Sequence, residues 1–200
     1  MFGTLSMSSD SILLEKTHDR TGIRIFLSLI SAPHFDREHL QRLIQLARDP
    51  NLVELMGWNP LFEISETQAF IDALACIALP YSIETDPMVF GIYADPEQLP
   101  VGYAVLKGLN RELGTAEVGV AVLDPVYRPR GFGRLALDRM VSYAFECLNL
   151  QTVGAAILAT NQRSINMCRK TGFRLREVMP NSWSMPDGQV VDMVWMERNR

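Results

Sequence analysis

One window constrains this chain more than any other. Asp124-Pro-Val-Tyr-Arg-Pro-Arg-Gly-Phe-Gly-Arg-Leu-Ala136 joins a strand pattern directly to a helix pattern, with Gly131 and Gly133 at the junction. Upstream, Glu117 to Leu123 reads as a strand; downstream, Leu135, Leu137, Met140, Val141, Ala144, Phe145 and Leu148 repeat at helical spacing. The window therefore predicts a helix laid against a sheet. It also predicts an anion site. The first turn of a helix offers N–H groups without internal partners, and the helix dipole adds roughly half a positive charge there. Glycines let a ligand approach the backbone. Arg128, Arg130 and Arg134 concentrate three positive charges within seven residues of a chain whose formal net charge is -4. A pyrophosphate fits this description.

The rest of the chain supplies the sheet. Met1 to Asp19 has little periodicity and is expected as a loose arm with room for one strand, giving an N-terminal arm over residues 1–22 and a single domain over 23–200. Ile23 to Ser31 reads as a buried strand closed by Pro33, and Asp36 to Met56 as two short helices parted by Asp49-Pro50. Ser65 and Gln68 form a capping-box pattern opening a helix that carries Phe70, Ile71, Leu74 and Ile77 on one face and stops at Pro80. Met88 to Ala94, Pro100 to Leu109 and Glu117 to Leu123 then read as an antiparallel meander. Val153 to Ala159 is a compact apolar strand. A helix from about Gln162 to Thr171 ends at Gly172, and Phe173 to Met179 with Gln189 to Met196 form a closing pair around Asp187-Gly188. The order is that of an α/β (α+β) sheet with mixed pairing.

Composition removes other classes. With 48% hydrophobic and 21% charged residues, a chain of 200 has enough apolar material for one core and is neither disordered nor fibrous. The acidic balance argues against nucleic acid as a partner. Cys76, Cys147 and Cys168 stand far apart without a CxxC pair, so neither a zinc site nor a disulfide framework is expected, and no metal. The apolar run from Ile23 to Ile30 is too short for a membrane span and too deep for a signal sequence. A cytoplasmic protein with no membrane partner is the expectation.

No GxxxxGK[ST] string occurs, and GxGxxG fails after Gly133. Instead, Arg128-x-x-Gly131-x-Gly133 resembles the R/Q-x-x-G-x-G/A signature of the GNAT superfamily of N-acetyltransferases, which bind acetyl-coenzyme A. Downstream, Asn161-Gln-Arg-Ser164 running to Lys170-Thr-Gly172-Phe173 is similar to the N-x-x-[SA]…K-x-G-F motif that closes the same superfamily. Ala116-Glu117-Val-Gly119 leading into Asp124-Pro125, and Asp187-Gly188 followed by Asp192, resemble the subgroup that acetylates ribosomal-protein N-termini. The resemblance covers roughly Ile23 to Arg198. It implies a mixed, mostly antiparallel central sheet flanked by helices on both faces. Acetyl-CoA is then the co-substrate. A splay beside the Glu117 strand lets the pantetheine arm pair with Ala121, Val122 and Leu123, and the backbone of Gly131, Phe132, Gly133 and Arg134 cradles the pyrophosphate, with Arg128 and Arg130 as further cofactor-binding residues. Asn161 caps the later helix and touches the pantetheine.

Acetyl transfer needs a neutral amine, a polarised carbonyl and a departing thiolate. A peptide α-amine with pKa about 7.7–8.0 is roughly a tenth neutral at pH 7, whereas a lysine amine at about 10.4 is almost wholly charged. Glu117 is the candidate base, acting directly or through one water, and shares a strand face with the small residues Gly119 and Ala121. A backbone N–H from Ala121 to Leu123 is the candidate carbonyl donor. Many superfamily members carry a tyrosine acid seven residues after the motif asparagine; here that position is Cys168. Ser164 or Cys168 remains as proton donor, against a packing role for the cysteine. A thiol of pKa about 8.5 leaves without much help.

The acceptor would be an amine-bearing small molecule or a protein N-terminus, entering near Trp58, Phe62, Trp183 and Met185. A homodimer is the default assembly. Two rival readings stand beside this one: a coenzyme-A-binding regulatory module with little catalysis, and a nucleotide enzyme using the Gly131 loop for ATP or NAD.

Overall fold

The computed structural model describes residues 7–8, 11–18, 24–30, 37–57, 88–94 and 99–200. The helix expected from Ser65, and Trp58 and Phe62, lie outside them. The chain runs β1 (Met7–Ser8), β2 (Ser11–His18), β3 (Arg24–Ile30), α1 (Arg37–Ala47), α2 (Pro50–Met56), β4 (Met88–Ala94), β5 (Pro100–Asn110) and β6 (Thr115–Val122). A 3-10 turn over Arg128–Arg130 leads into α3 (Phe132–Glu146), followed by β7 (Thr152–Leu158), α4 (Gln162–Lys170), β8 (Arg174–Ser184) and β9 (Val190–Asn199).

These strands form one sheet in the order β1-β2-β3-β4-β5-β6-β7-β9-β8. The described pairings are antiparallel apart from β6 with β7. The expected meander is β4–β5–β6. Ser11–His18 pairs with β3, so the sheet reaches into the segment read as an arm. The terminal hairpin is longer than its apolar pattern suggested, because polar residues on the exposed β8 still complete the ladder to β9.

Strand alternation sorts the core onto two faces. On one face, Phe90, Ile92, Ala104, Leu106, Ala116, Val118, Val153 and Ala155 pack against α3 and against Ile165 and Cys168 of α4. On the other, Val89, Tyr103, Val105 and Ala121 pack against Leu43 and Ala47 of α1 and Leu52 of α2. Helices thus flank both faces of a mixed, mostly antiparallel sheet, an α/β arrangement. Asp49 and Pro50 break α1 from α2 as the sequence implied: proline occupies the first helical position, and Asp49 accepts the Asn51 N–H at 3.0 Å as a cap.

Candidate active site

The parallel pair β6–β7 is short. Thr115, Ala116 and Glu117 stand beside Thr152, Val153 and Gly154, and beyond them the two strands no longer pair. A wedge-shaped gap opens there, with β5 on the far side of β6 and β9 on the far side of β7.

The donors along the β6 edge follow from its ladder. Leu123 and Asp124 both give their N–H groups to the Val101 carbonyl, at 3.0 and 2.9 Å. Because N–H directions alternate along a strand, Ala121 also faces β5, opposite Tyr103. Val120 and Val122 therefore turn their N–H groups to the gap. This corrects the expectation for Ala121 to Leu123: only Val122 of that stretch offers a donor on the open side. The Leu123 donor is spent on the bulge that ends β6.

Glu117 is the last paired residue of β6 at the closed end of the wedge. It is 9% exposed. Its Oε1 lies 3.0 Å from Lys107 Nζ on β5, and its carboxylate also accepts from the Ala156 N–H of β7. Burial raises its pKa above the ordinary carboxylate range, while Lys107 and the Ala156 hydrogen bond pull the other way. Gly119 and Ala121 share its strand face, and Gly154 and Ala156 line the facing strand. The indole of Trp195 lies directly over Gly154, leaving no room for a Cβ, and its Nε1 donates to Glu197 Oε1 at 2.8 Å. A buried carboxylate thus sits about 17 Å from the end of β6, at five residues' rise.

At the wide end, the Asp124–Arg134 turn is held from several sides. Gly131 takes φ +87°, the left-handed region, and caps α3. Among the described residues, the N–H groups of Phe132, Gly133 and Arg134 have no partner outside their helix, as expected for a first turn. The Phe132 side chain is fully buried, so it can offer a ligand only its N–H. Gly133 sits against Met167 and Val122, where a Cβ would stand 3.3 Å from Met167 Sδ and 3.6 Å from Val122 Cγ2. Arg130 is exposed and stacks on Tyr127 at 5.4 Å, and Arg134, also exposed, lies 3.8 Å from Asp138.

Arg128 does not join them. Its guanidinium donates to Asp49 Oδ2 at 2.7 Å, to the Leu123 carbonyl at 2.5 Å and to the Val122 carbonyl at 3.1 Å. The charge read from the sequence as a phosphate contact is thus committed to an internal carboxylate. Asp124 is likewise occupied, accepting from Arg42 Nη2 and from the Val126 N–H, each at 2.9 Å.

Asn161 caps α4, its Oδ1 accepting the Ser164 N–H at 3.0 Å, and its Nδ2 donates to the Leu55 carbonyl of α2 at 2.9 Å. Ser164 is half-buried in the first turn of α4. Cys168 lies one turn further, 3% exposed inside the α3–α4 core, and burial pushes its thiol up to about 11. That environment suits a packing role, a small apolar filler between the two helices.

Sequence reasoning gives no site role to Lys107, Asp49, Arg42 or Trp195. Among the described residues no group of three His, Cys, Asp or Glu side chains could hold a metal, and no helix is long and apolar enough to cross a membrane.

Residues 32–174 match the acetyltransferase (GNAT) domain family. The chain is 21% identical over 169 residues to an uncharacterized N-acetyltransferase p20 of Bacillus licheniformis, covering 84% of this chain and 92% of that protein. It is 29% identical over 98 residues to the uncharacterized N-acetyltransferase YoaA of Bacillus subtilis, covering 47% and 53%. The crystal structure of spermidine N-acetyltransferase from Vibrio cholerae, in complex with CoA and spermine, superposes with a TM-score of 0.68 at 18% identity, covering 86% of this chain and 95% of that one. A probable GNAT-family acetyltransferase from Chromobacterium violaceum superposes with 0.73 at 17% identity, covering 99% and 90%. None of these four is named for a ribosomal protein, so the finer resemblance to that subgroup finds no support among them.

Proposed function

This chain belongs to the GNAT family of acetyltransferases and is an acetyl-CoA-dependent enzyme, and on that premise we propose that it acetylates a primary amine by direct attack in the wedge between β6 and β7. In this reading the pyrophosphate sits at the N–H groups of Gly131 to Arg134, flanked by Arg130 and Arg134. The pantetheine arm runs along the open edge of β6, where the Val122 and Val120 N–H groups face it. The acetyl group then lies toward Glu117. An attacking amine meets Glu117 as base, and the tetrahedral intermediate collapses by expelling the thiolate. No side-chain acid is required for that last step, because a thiolate of pKa about 8.5 is a competent leaving group.

The observation that carries this reading is the buried Glu117 carboxylate at the closed end of the β6–β7 wedge, with the small, partly exposed Gly119 and Ala156 next along the two strands. The acceptor is best described as a weakly basic primary amine, on a peptide terminus or a small molecule. A polyamine would call for several unpaired carboxylates, and the buried acids among the described residues, Glu117 and Asp124, are already paired with Lys107 and Arg42. The Vibrio cholerae protein's spermidine is nonetheless the natural polyamine to test.

The experiment is coenzyme A release from acetyl-CoA with a panel of α-amino peptides, small monoamines and spermidine, in the native chain and in Glu117→Gln. Turnover with at least one amine, lost in Glu117→Gln, is expected. Cys168 favours a second reading: the position where many family members carry a tyrosine acid is filled by a buried thiol, as in a coenzyme-A-binding module without efficient chemistry. Tight acetyl-CoA binding with no turnover on any amine would establish that reading.

A further inference from the structure

Two ion pairs of opposite polarity fasten the α1–α2 elbow to the turn assigned above to the pyrophosphate. Arg42 of α1 reaches Asp124 on the turn at 2.9 Å, and Asp49, between α1 and α2, reaches Arg128 on the turn at 2.7 Å. The second pair is the better shielded, with side chains 19% and 13% exposed. Asp49 divides its oxygens between two tasks. Oδ1 accepts from the Asn51 N–H and side chain at 3.0 and 2.8 Å and so starts α2, while Oδ2 faces Arg128. Arg128 in turn binds the two carbonyls that end β6, and its own carbonyl accepts from Arg163 of α4. The far end of α2 is tied as well: the Leu55 carbonyl accepts from Asn161 and the Gly57 carbonyl from Trp183 Nε1 at 3.0 Å. The elbow, the end of β6 and the entry to α3 form one hydrogen-bonded unit, and α2 connects it to the end of β7.

We propose that Asp49 is a positioning residue for acetyl-CoA: acting through Arg128, it holds the turn in the shape that brings the Gly131 to Arg134 N–H groups onto the phosphates. The inference rests on the assignment of that turn to the cofactor. Its sign separates it from plain electrostatics. Removing a carboxylate near a polyanion site, and freeing an arginine beside it, should tighten binding if charge alone decides. Binding should weaken if the role of Asp49 is to shape the turn, because the first-turn N–H groups are fixed donors whose value depends on orientation.

Asp49→Asn isolates the effect, since it keeps the size of the side chain and an oxygen for the α2 cap while deleting the charged partner of Arg128. Calorimetry with acetyl-CoA on native protein, Asp49→Asn, Asp49→Glu and Gly133→Glu, at low and high salt, reads it. In Asp49→Asn the Kd is expected to rise about tenfold, with Asp49→Glu regaining at least half of the loss. In turnover the loss falls on KM for acetyl-CoA and leaves kcat within twofold. An unchanged or tighter Kd in Asp49→Asn, with binding abolished in Gly133→Glu, overturns the positioning role alone. Native-like binding by Gly133→Glu overturns the cofactor assignment beneath it. Should Asp49→Asn fail to fold, Arg42→Gln probes the same unit, with a rise in Kd of at least threefold expected and no change overturning the proposal.

Discussion

Lys107 Nζ stands 3.0 Å from Glu117 Oε1 across the β5–β6 ladder, with both side chains close to nine-tenths buried. The pair sets two opposing influences on the carboxylate proposed as the base. Burial holds the Glu117 pKa above its ordinary value, and Lys107 limits the rise. Lys107 is the charged group acting on Glu117 among the described residues; β7 offers it only the Ala156 N–H, and Glu197 of β9 is engaged by Trp195 and Arg176. A base works ionised, so kcat/KM should climb as pH rises through the Glu117 pKa. Lys107→Met removes the influence that lowers that pKa, so the acidic limb should move to higher pH. Glu117→Gln should abolish the limb and lower kcat/KM by about 10²–10⁴. The pH–rate profile of the three proteins checks all of this, and a limb that stays put in Lys107→Met would separate the pair from the chemistry.

Gly133 and Gly131 should respond differently to substitution. Gly133→Glu places a side chain and a negative charge where the phosphates are assigned, and acetyl-CoA binding should fall more than a hundredfold. Gly131→Ala meets nothing within 4 Å, but must hold φ +87°, a backbone cost of about 1–2 kcal/mol. Its effect should show as a lowered unfolding midpoint with a modest loss of affinity. Calorimetry and thermal melts on the two variants read the contrast.

Arg134 and Arg128 carry the same charge six positions apart, yet of the two only Arg134 is exposed and able to swing from its long contact with Asp138. Arg134→Ala should weaken acetyl-CoA binding by about 1.5–3 kcal/mol if its guanidinium meets phosphate, with a loss that shrinks as salt is added. Titrations across a salt series test it, and an effect below about 0.5 kcal/mol would mark the arginine as an ordinary surface charge.

Cys168 should behave as core. Cys168→Ala ought to leave kcat within threefold and lower stability by about 1 kcal/mol, the cost of a small cavity. Denaturant unfolding and turnover measured together decide the matter. A large fall in kcat without loss of stability would restore the thiol to the mechanism.

Much of this is legible in the sequence, and what is not shares one cause. The Gly131–Gly133 turn, the strand before it and the Asn161 cap lie within single stretches, where periodicity and helix-end chemistry act locally. The Glu117–Lys107 pair depends on register. Counting back from the Asn110–Thr115 pair would set Glu117 opposite Gly108, but the ladder shifts by one between Lys107 and Asn110, where Gly108 takes φ +57°. A single bulged residue brings Lys107 onto the Glu117 face instead. The Arg128–Asp49 contact joins residues 79 positions apart. The Asp49-Pro50 break was visible as a helix boundary, but not the direction in which the free carboxylate oxygen would face. The destination of Arg128 is hidden for the same reason: three arginines within seven residues look equivalent until the tertiary structure takes one of them.

The seat of the coenzyme tests the central claim most directly. In a crystal structure with coenzyme A bound, the pyrophosphate is expected against the N–H groups of Gly131 to Arg134, with the thiol pointing down the β6–β7 wedge toward Glu117. Phosphate density elsewhere on the molecule, with the wedge empty, would contradict the assignment.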